Sequence, residues 1–220
     1  MVSHLTRTAR TCKLNLPINE GQGSTAHDSS GYGNHGTIYG ATWTKGSYGY
    51  GLYFDGVDDY VSLGTSSTLK PQTITVMAWF NTLKLDAYGV ILQSGKNWDD
   101  VAGVTMRVHR DGYLNCIVAK GADNDHCSIG SSHLSSNTWY LGAVTVDGTN
   151  MRGYLNGSEF SSCAMTSVFY DENTVIIGRQ STDNWNNFYG TIAEVLIYNR
   201  AWTADEVLSY YNATKGRFGL

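Results

Sequence analysis

The sequence predicts an all-β fold, an antiparallel β-sandwich with a short C-terminal helix, and three observations carry the prediction. Glycine is abundant and proline scarce, 25 against 2 in 220 residues, and glycine is the residue that lets a chain turn sharply between strands. Charged residues make up only 15% and aromatics 12%, the composition of an aromatic-rich sheet protein rather than of a disordered or coiled-coil chain. Short runs of β-branched and aromatic residues, punctuated by turn residues, recur along the whole chain. No linker, low-complexity tract or internal repeat interrupts them, and the length suits one large all-β domain.

The elements follow in chain order. Residues 1–13, MVSHLTRTARTCK, are basic and polar through Arg7, Arg10 and Lys13 and lack the apolar core of a secretory signal; they read as an N-terminal arm preceding a domain over 14–220. The run DSSGYGNHG (28–36) is a turn, dense in residues that adopt left-handed backbone or hydrogen-bond their own chain. In FDGVDDYVSL a strand ends at Phe54, turns through Asp55-Gly56, and a second strand starts at Tyr60. Further strands are predicted over 74–82, 89–93, 103–109, 113–119, 139–146, 150–156, 174–178 and 189–199. Within ITVMAWF, Ile74, Val76, Ala78 and Phe80 face one side while Met77 and Trp79 face the other. A strand apolar on both faces is central and covered twice. The helix starts at Thr203, with Glu206 three residues on as a capping box, and runs into EVLSYYNA.

Seven segments in this order, INEGQG (18–23), DSSGYGNHG (28–36), LYFDGVDDYVSL (52–63), ITVMAWF (74–80), WYLGAVTVDGTNMRGYLNG (139–157), VIIGR (175–179) and GTIAEVLIYNRAWTADEV (190–207), resemble the laminin-G-like branch of the concanavalin A-like lectin-glucanase jelly rolls. The resemblance implies two antiparallel sheets with a curved face that holds carbohydrate or a protein partner, often beside a structural calcium. It does not fix the ligand.

Several chemistries are disfavoured. A net charge of −4 lacks the basic field that nucleic-acid backbones require. No apolar run approaches the roughly 18 to 20 residues of a membrane span. Gly31 to Gly36 matches GxGxxG in letters, but no strand precedes it and a strand-like TIYG follows where a helix is required. The six histidines are not at metal-ligand spacing, and neither GxSxG nor HExxH occurs. The ExDxE strand of the related laminarinases is absent, and Asp58-Asp59, Asp99-Asp100 and Asp171-Glu172 are adjacent turn residues whose side chains diverge, unlike a glycosidase pair at controlled separation. The chain is expected not to be an enzyme.

Other residues carry specific expectations. A hairpin folded about Gly121-Ala122 places Cys116 opposite Cys127, close enough for a disulfide; the alternative is two buried thiols. The resemblance implies a Ca2+ site at the Asp28 loop and the final strand, where Glu194 follows Ala193 instead of a second acid. Asp28 capping its own turn, with Glu194 as a hydrogen-bonded strand residue, is the competing account. Sugars are held by an aromatic face flanked by amides and carboxylates, and two clusters have that composition: Asn97, Trp98, Asp99 and Asp100, and Asp183, Asn184, Trp185, Asn186 and Asn187. The expected function is a non-catalytic carbohydrate-binding or surface-adhesion module, extracellular or on a virion surface, whose partner is a glycan or cell-surface polysaccharide. The alternative is a structural decoration or appendage protein of a virus particle or filament that packs against neighbouring subunits.

Overall fold

The computed structural model describes residues 11–95, 102–121, 125–180 and 186–220. Its strands are β1 Cys12–Leu16, β2 Thr25–Ala26, β3 Gly36–Tyr39, β4 Thr42–Gly46, β5 Gly49–Asp55, β6 Tyr60–Ser62, β7 Ile74–Thr82 and β8 Gly89–Ser94. They continue with β9 Val104–Val108, β10 Tyr113–Ala119, β11 His126–His133, β12 Trp139–Val146, β13 Asn150–Leu155, β14 Ser158–Ala164, β15 Val175–Ile177 and β16 Tyr189–Tyr198, and a helix α1 spans Ala204–Thr214. The first sheet runs β14-β13-β12-β7-β16-β5-β4, with β1 joining β16, and the second runs β11-β10-β9-β8-β15-β6-β3-β2. All pairings are antiparallel, so the sandwich expected from the glycine and aromatic composition is the one formed.

β7 lies between β12 and β16. Its alternation is resolved as the sequence predicts: Ile74, Val76, Ala78 and Phe80 enter the core between the sheets, while Met77 and Trp79 join a second apolar cluster on the outer face of the first sheet. That outer cluster is sealed by the C-terminal segment. Thr203 and Glu206 cap each other's backbone amides at α1, and Arg200 grips the Glu206 carboxylate with two nitrogens at 2.7 and 2.8 Å. The helix delivers Val207, and the turn beyond it stacks Phe218 on Trp79 with ring centroids 4.1 Å apart. Burying these large rings is the driving term that holds the segment down.

The second sheet has a different outer face. Gln93, Thr105, Arg107 and Asn115 point away from the core yet are buried, and neighbouring-strand register sets Gln93 beside Thr105 and Arg107 beside Asn115. Burial without hydrogen bonding would be costly. Asn115 accordingly accepts Arg107 Nε at 3.0 Å and donates to Ser128 Oγ and the Ile129 carbonyl.

One bond differs from the sequence reading, and one strand crosses the division expected at residue 13. β1 already begins at Cys12 and pairs with Tyr198, so the division between arm and domain at residue 13 falls inside a strand. The disulfide joins Cys127 to Cys163, with Cα atoms 6.1 Å apart, and Cys116 is a buried thiol. The hairpin register explains the correction: Cys116 faces Ile129 and Cys127 faces Val118, so the expected partners are offset diagonally. Cys127 instead meets Cys163 of β14, bridging the edge strands of the two sheets.

Candidate functional site

The register of three strand pairs brings four loop ends to one rim of the sandwich. Tyr189 at the start of β16 lies opposite Asp55 at the end of β5, Gly190 lies opposite Thr82 at the end of β7, and Gly89 at the start of β8 lies opposite Val108 at the end of β9. Gly190 is required there. Its φ is +146°, and a Cβ would sit 2.1 Å from the Asn81 carbonyl oxygen, so only glycine lets the strand enter this close to β7.

Between these ends an open cleft of about 670 Å³ is lined by Asp55 and Gly56 of the β5–β6 turn and by Lys84, Asp86, Ala87 and Tyr88 of the β7–β8 loop. Arg110 of the β9–β10 turn and Asn186, Asn187 and Tyr189 before and within β16 complete it. Asn186 holds left-handed backbone, φ +56°, which asparagine tolerates. Its carbonyl accepts the Val90 amide at 2.8 Å, and its side chain donates to Gln180 Oε1 at 2.5 Å. Asn187 donates to the Val57 carbonyl, and the Phe188 amide donates to the Gly178 carbonyl at 2.8 Å. The segment is thus pinned to three elements before it reaches the sheet.

Tyr88 is the hub of the cleft's far wall. Its hydroxyl meets His109 Nε2 at 3.1 Å, and the guanidinium carbons of Arg107 and Arg110 lie 4.5 and 5.7 Å from its ring centroid. His109 Nδ1 accepts the Asp111 amide at 3.2 Å, which leaves the proton on Nε2 to be donated to Tyr88. The imidazole stacks on Tyr113 at 4.4 Å, and burial lowers its pKa despite the nearby Asp111 carboxylate. Outside the cleft lining, the hydrogen bond to Tyr189 pushes the Tyr53 phenol up to about 12. The site presents tyrosine hydroxyls, two amides, two carboxylates and two exposed cations around tyrosine rings, a set that binds polar ring compounds by stacking and forked hydrogen bonds.

Of the sequence-predicted contacts, Asn186 and Asn187 line this cleft, while Asn97, Trp98, Asp99, Asp100, Asp183, Asn184 and Trp185 lie outside the described residues. Lys84, Asp86, Tyr88 and Arg110 were not singled out by sequence. The readable signal is weak, a polar KLDAY between two apolar strands and an HRDGY hairpin turn.

The Asp28 and Glu194 carboxylates each have partners within the protein. Asp28 Oδ1 accepts the amides of Asn15 and Ser30 at 3.0 and 2.9 Å, and Oδ2 accepts Ser30 Oγ and the Asn34 amide at 2.8 and 2.9 Å. Burial alone would raise its pKa, but these donors outweigh burial and hold it below the usual value. Four protein donors thus share the lone pairs of this carboxylate. Glu194 is spent elsewhere, accepting the Tyr210 hydroxyl at 2.8 Å beside Arg217 at 3.8 Å, with burial raising its pKa. Among the described residues, Asp55, Asp58 and Asp59 have carboxylate oxygens within 4.8 Å of one another. Asp59 Oδ2 there accepts the Asp55 amide and Asp55 Oδ1 accepts that of Val57, both at 2.8 Å.

No curated protein matches the chain. Among solved structures, the binding domain of Paraclostridial Mosquitocidal Protein 1 superposes with a TM-score of 0.75 at 16% identity, over 94% of this chain and 53% of that one. The ligand-binding domain of botulinum neurotoxin serotype D, in complex with N-acetylneuraminic acid, gives 0.74 at 16% identity over 96% and 53%. Botulinum neurotoxin type C, whose cell entry depends on two ganglioside molecules, gives 0.72 at 15% over 96% and 53%. The chain spans about half the length of these neighbours, and at such identities the likeness is one of fold. The sequence profile of the laminin-G-like group matches residues 55–208, and on that match, with the two antiparallel sheets already described, the chain belongs to the concanavalin A-like lectin/glucanases superfamily.

Proposed function

We propose that this protein is a non-catalytic glycan-binding module that holds a sugar in the rim cleft. The observation that carries the reading is the convergence of Tyr88 and Tyr189 with the Asn186 and Asn187 amides and the charged Asp86, Lys84 and Arg110 in one open cleft. A pyranose has an apolar C–H face and a ring of hydroxyls, and this set offers a partner to each. The fold neighbours, which include a ganglioside-dependent toxin and an N-acetylneuraminic acid complex, support a glycan as the ligand class. Asn97, Trp98, Asp99, Asp100, Asp183, Asn184 and Trp185 remain in the proposal as further contacts on grounds of composition alone. The Cys127–Cys163 bond favours an oxidising, extracellular setting. No described helix is long and apolar enough to cross a membrane.

A glycan array followed by titration calorimetry tests the reading. Asp86→Ala and Arg110→Ala, both at exposed positions, are expected to weaken binding of the selected glycan at least tenfold while the melting temperature stays within about 2 °C, as for surface substitutions. Wild-type protein that binds no glycan and elutes as a large ordered assembly would overturn the proposal and favour a structural subunit that packs against its neighbours.

A further inference from the structure

Across the acidic turn from the cleft, three side chains stack in a row on the outer face of the second sheet. Tyr39 and Tyr60 are register partners on β3 and β6, their rings nearly parallel at 11° with centroids 4.5 Å apart. Arg179, two residues past β15 on the other flank of β6, sets its guanidinium carbon 3.6 Å from the Tyr60 centroid. Tyr60 is therefore clasped between a ring and a cation. The outer face of Tyr39 is uncovered, because β2 pairs only with Gly36 and Thr37 and stops short of it, and Tyr39 is 46% exposed. The backbone holds this edge firmly: Gly40 has φ +75°, and a Cβ there would lie 2.0 Å from Asp59 Oδ1.

Arg179 is the unexplained member. Its Nε is buried and has no hydrogen-bond partner, and no ion pair neutralises the guanidinium among the described residues. The neighbouring carboxylates are committed to their own turn, Asp59 to the Asp55 amide and Asp55 to the Val57 amide. A guanidinium offers five donors in a fixed fork that matches carboxylate and sulfate oxygens, and Arg179, only half-buried, keeps part of that fork at the surface.

We infer that Arg179, Tyr60 and Tyr39 form an anionic-sugar subsite, in which the guanidinium takes the carboxylate or sulfate group of an acidic glycan and the open ring of Tyr39 carries the apolar face of the adjoining pyranose. The inference rests on the glycan-binding reading and narrows it to acidic chains. The separation of guanidinium and open ring by one tyrosine is a span that a disaccharide covers.

Calorimetry with a uronate-containing, a sulfated and a neutral tetrasaccharide tests the subsite. The expected result is at least tenfold tighter binding of an acidic chain than of the neutral one, a preference abolished in Arg179→Gln, with Tyr39→Ala weakening all three. The uronate and sulfated arms separate the two anion sources. Arg179→Lys, which keeps the charge and loses the fork, should retain only part of the preference and serves if the Gln variant does not fold. Equal binding of acidic and neutral chains, or a preference that survives Arg179→Gln, overturns the subsite and leaves the rim cleft standing. If no tetrasaccharide binds, the glycan reading itself has failed, and the arginine Nε–H resonances in nitrogen-15 NMR decide the subsite separately. A resonance that shifts with glucuronate but not glucose, and is missing in Arg179→Lys, supports it; one unmoved by glucuronate overturns it.

Discussion

Breaking the Cys127–Cys163 bond should remove a large share of the stability of this fold. The bridge closes a loop of sequence separation 36, and the chain-entropy relation for a loop of that length gives about 4 kcal/mol at 25 °C. Its position argues for the full effect, because β11 and β14 are outermost strands of different sheets and no ladder of backbone hydrogen bonds joins them. For a domain of this length each kcal/mol shifts the melting temperature by about 2–4 °C, so the Cys127→Ser, Cys163→Ser double variant should melt roughly 8–16 °C below wild type. Differential scanning calorimetry on the variant, and on wild type with and without reductant, measures the shift. Cys116 is an internal control: burial pushes its thiol up to about 12, so iodoacetamide should leave it unmodified in the native protein. Identical melting of oxidised and doubly substituted protein would show that the bridge does not stabilise the fold, and non-reducing peptide maps that join Cys116 to Cys127 would replace it.

Two other consequences are open to measurement. Burial holds the His109 pKa below its ordinary 6.5, so below pH 6.5 the unfolded chain takes up a proton that the folded protein refuses, and the stability present above pH 6.5 falls as the pH drops. Urea midpoints at pH 7.5 and 5.5 should fall less for His109→Gln than for wild type, and an undiminished loss in the variant would exclude His109 as its source. Because four protein donors fill the Asp28 carboxylate and Glu194 is bound to Tyr210, melting curves in chelator and in millimolar calcium should superimpose; a calcium-dependent rise of several degrees would show that a metal displaces those donors.

The parts of the fold legible in sequence are those whose signal is local. β7 announces itself because alternate residues of ITVMAWF serve two different apolar clusters, and α1 because a capping box needs only Thr203 and Glu206 in one turn. The disulfide was not legible, because its second partner comes from a strand 36 residues away and a two-residue change in hairpin register moves Cys127 from Cys116 to Val118. Composition drew attention to Asn186 and Asn187, which do line the cleft, but Lys84, Asp86, Tyr88 and Arg110 converge only through strand pairing. Arg179 shows the same limit more sharply: nothing in VIIGR reveals that its arginine lies over a tyrosine 119 residues earlier. At Asp28 the turn-capping hydrogen bonds were legible as one of two accounts, because Ser30 and Asn34 lie within six residues, whereas the amide of Asn15 reaches the carboxylate only through the fold.

The rim's construction from four loop ends, each clamped by a strand pair behind it, separates what the protein recognises from what keeps it folded. Lys84, Asp86 and Arg110 are exposed, whereas the clamps, Gly190 against β7 and Phe188 in the core, are buried. Exchanging the exposed letters alters the ligand at little thermodynamic risk, and exchanging the clamps collapses every loop together. A scaffold divided in this way is suited to library selection: randomising positions 84, 86, 110 and 111 while keeping Leu85 against the core leaves the sheets to fold as before, and new specificities arise without redesign of the core.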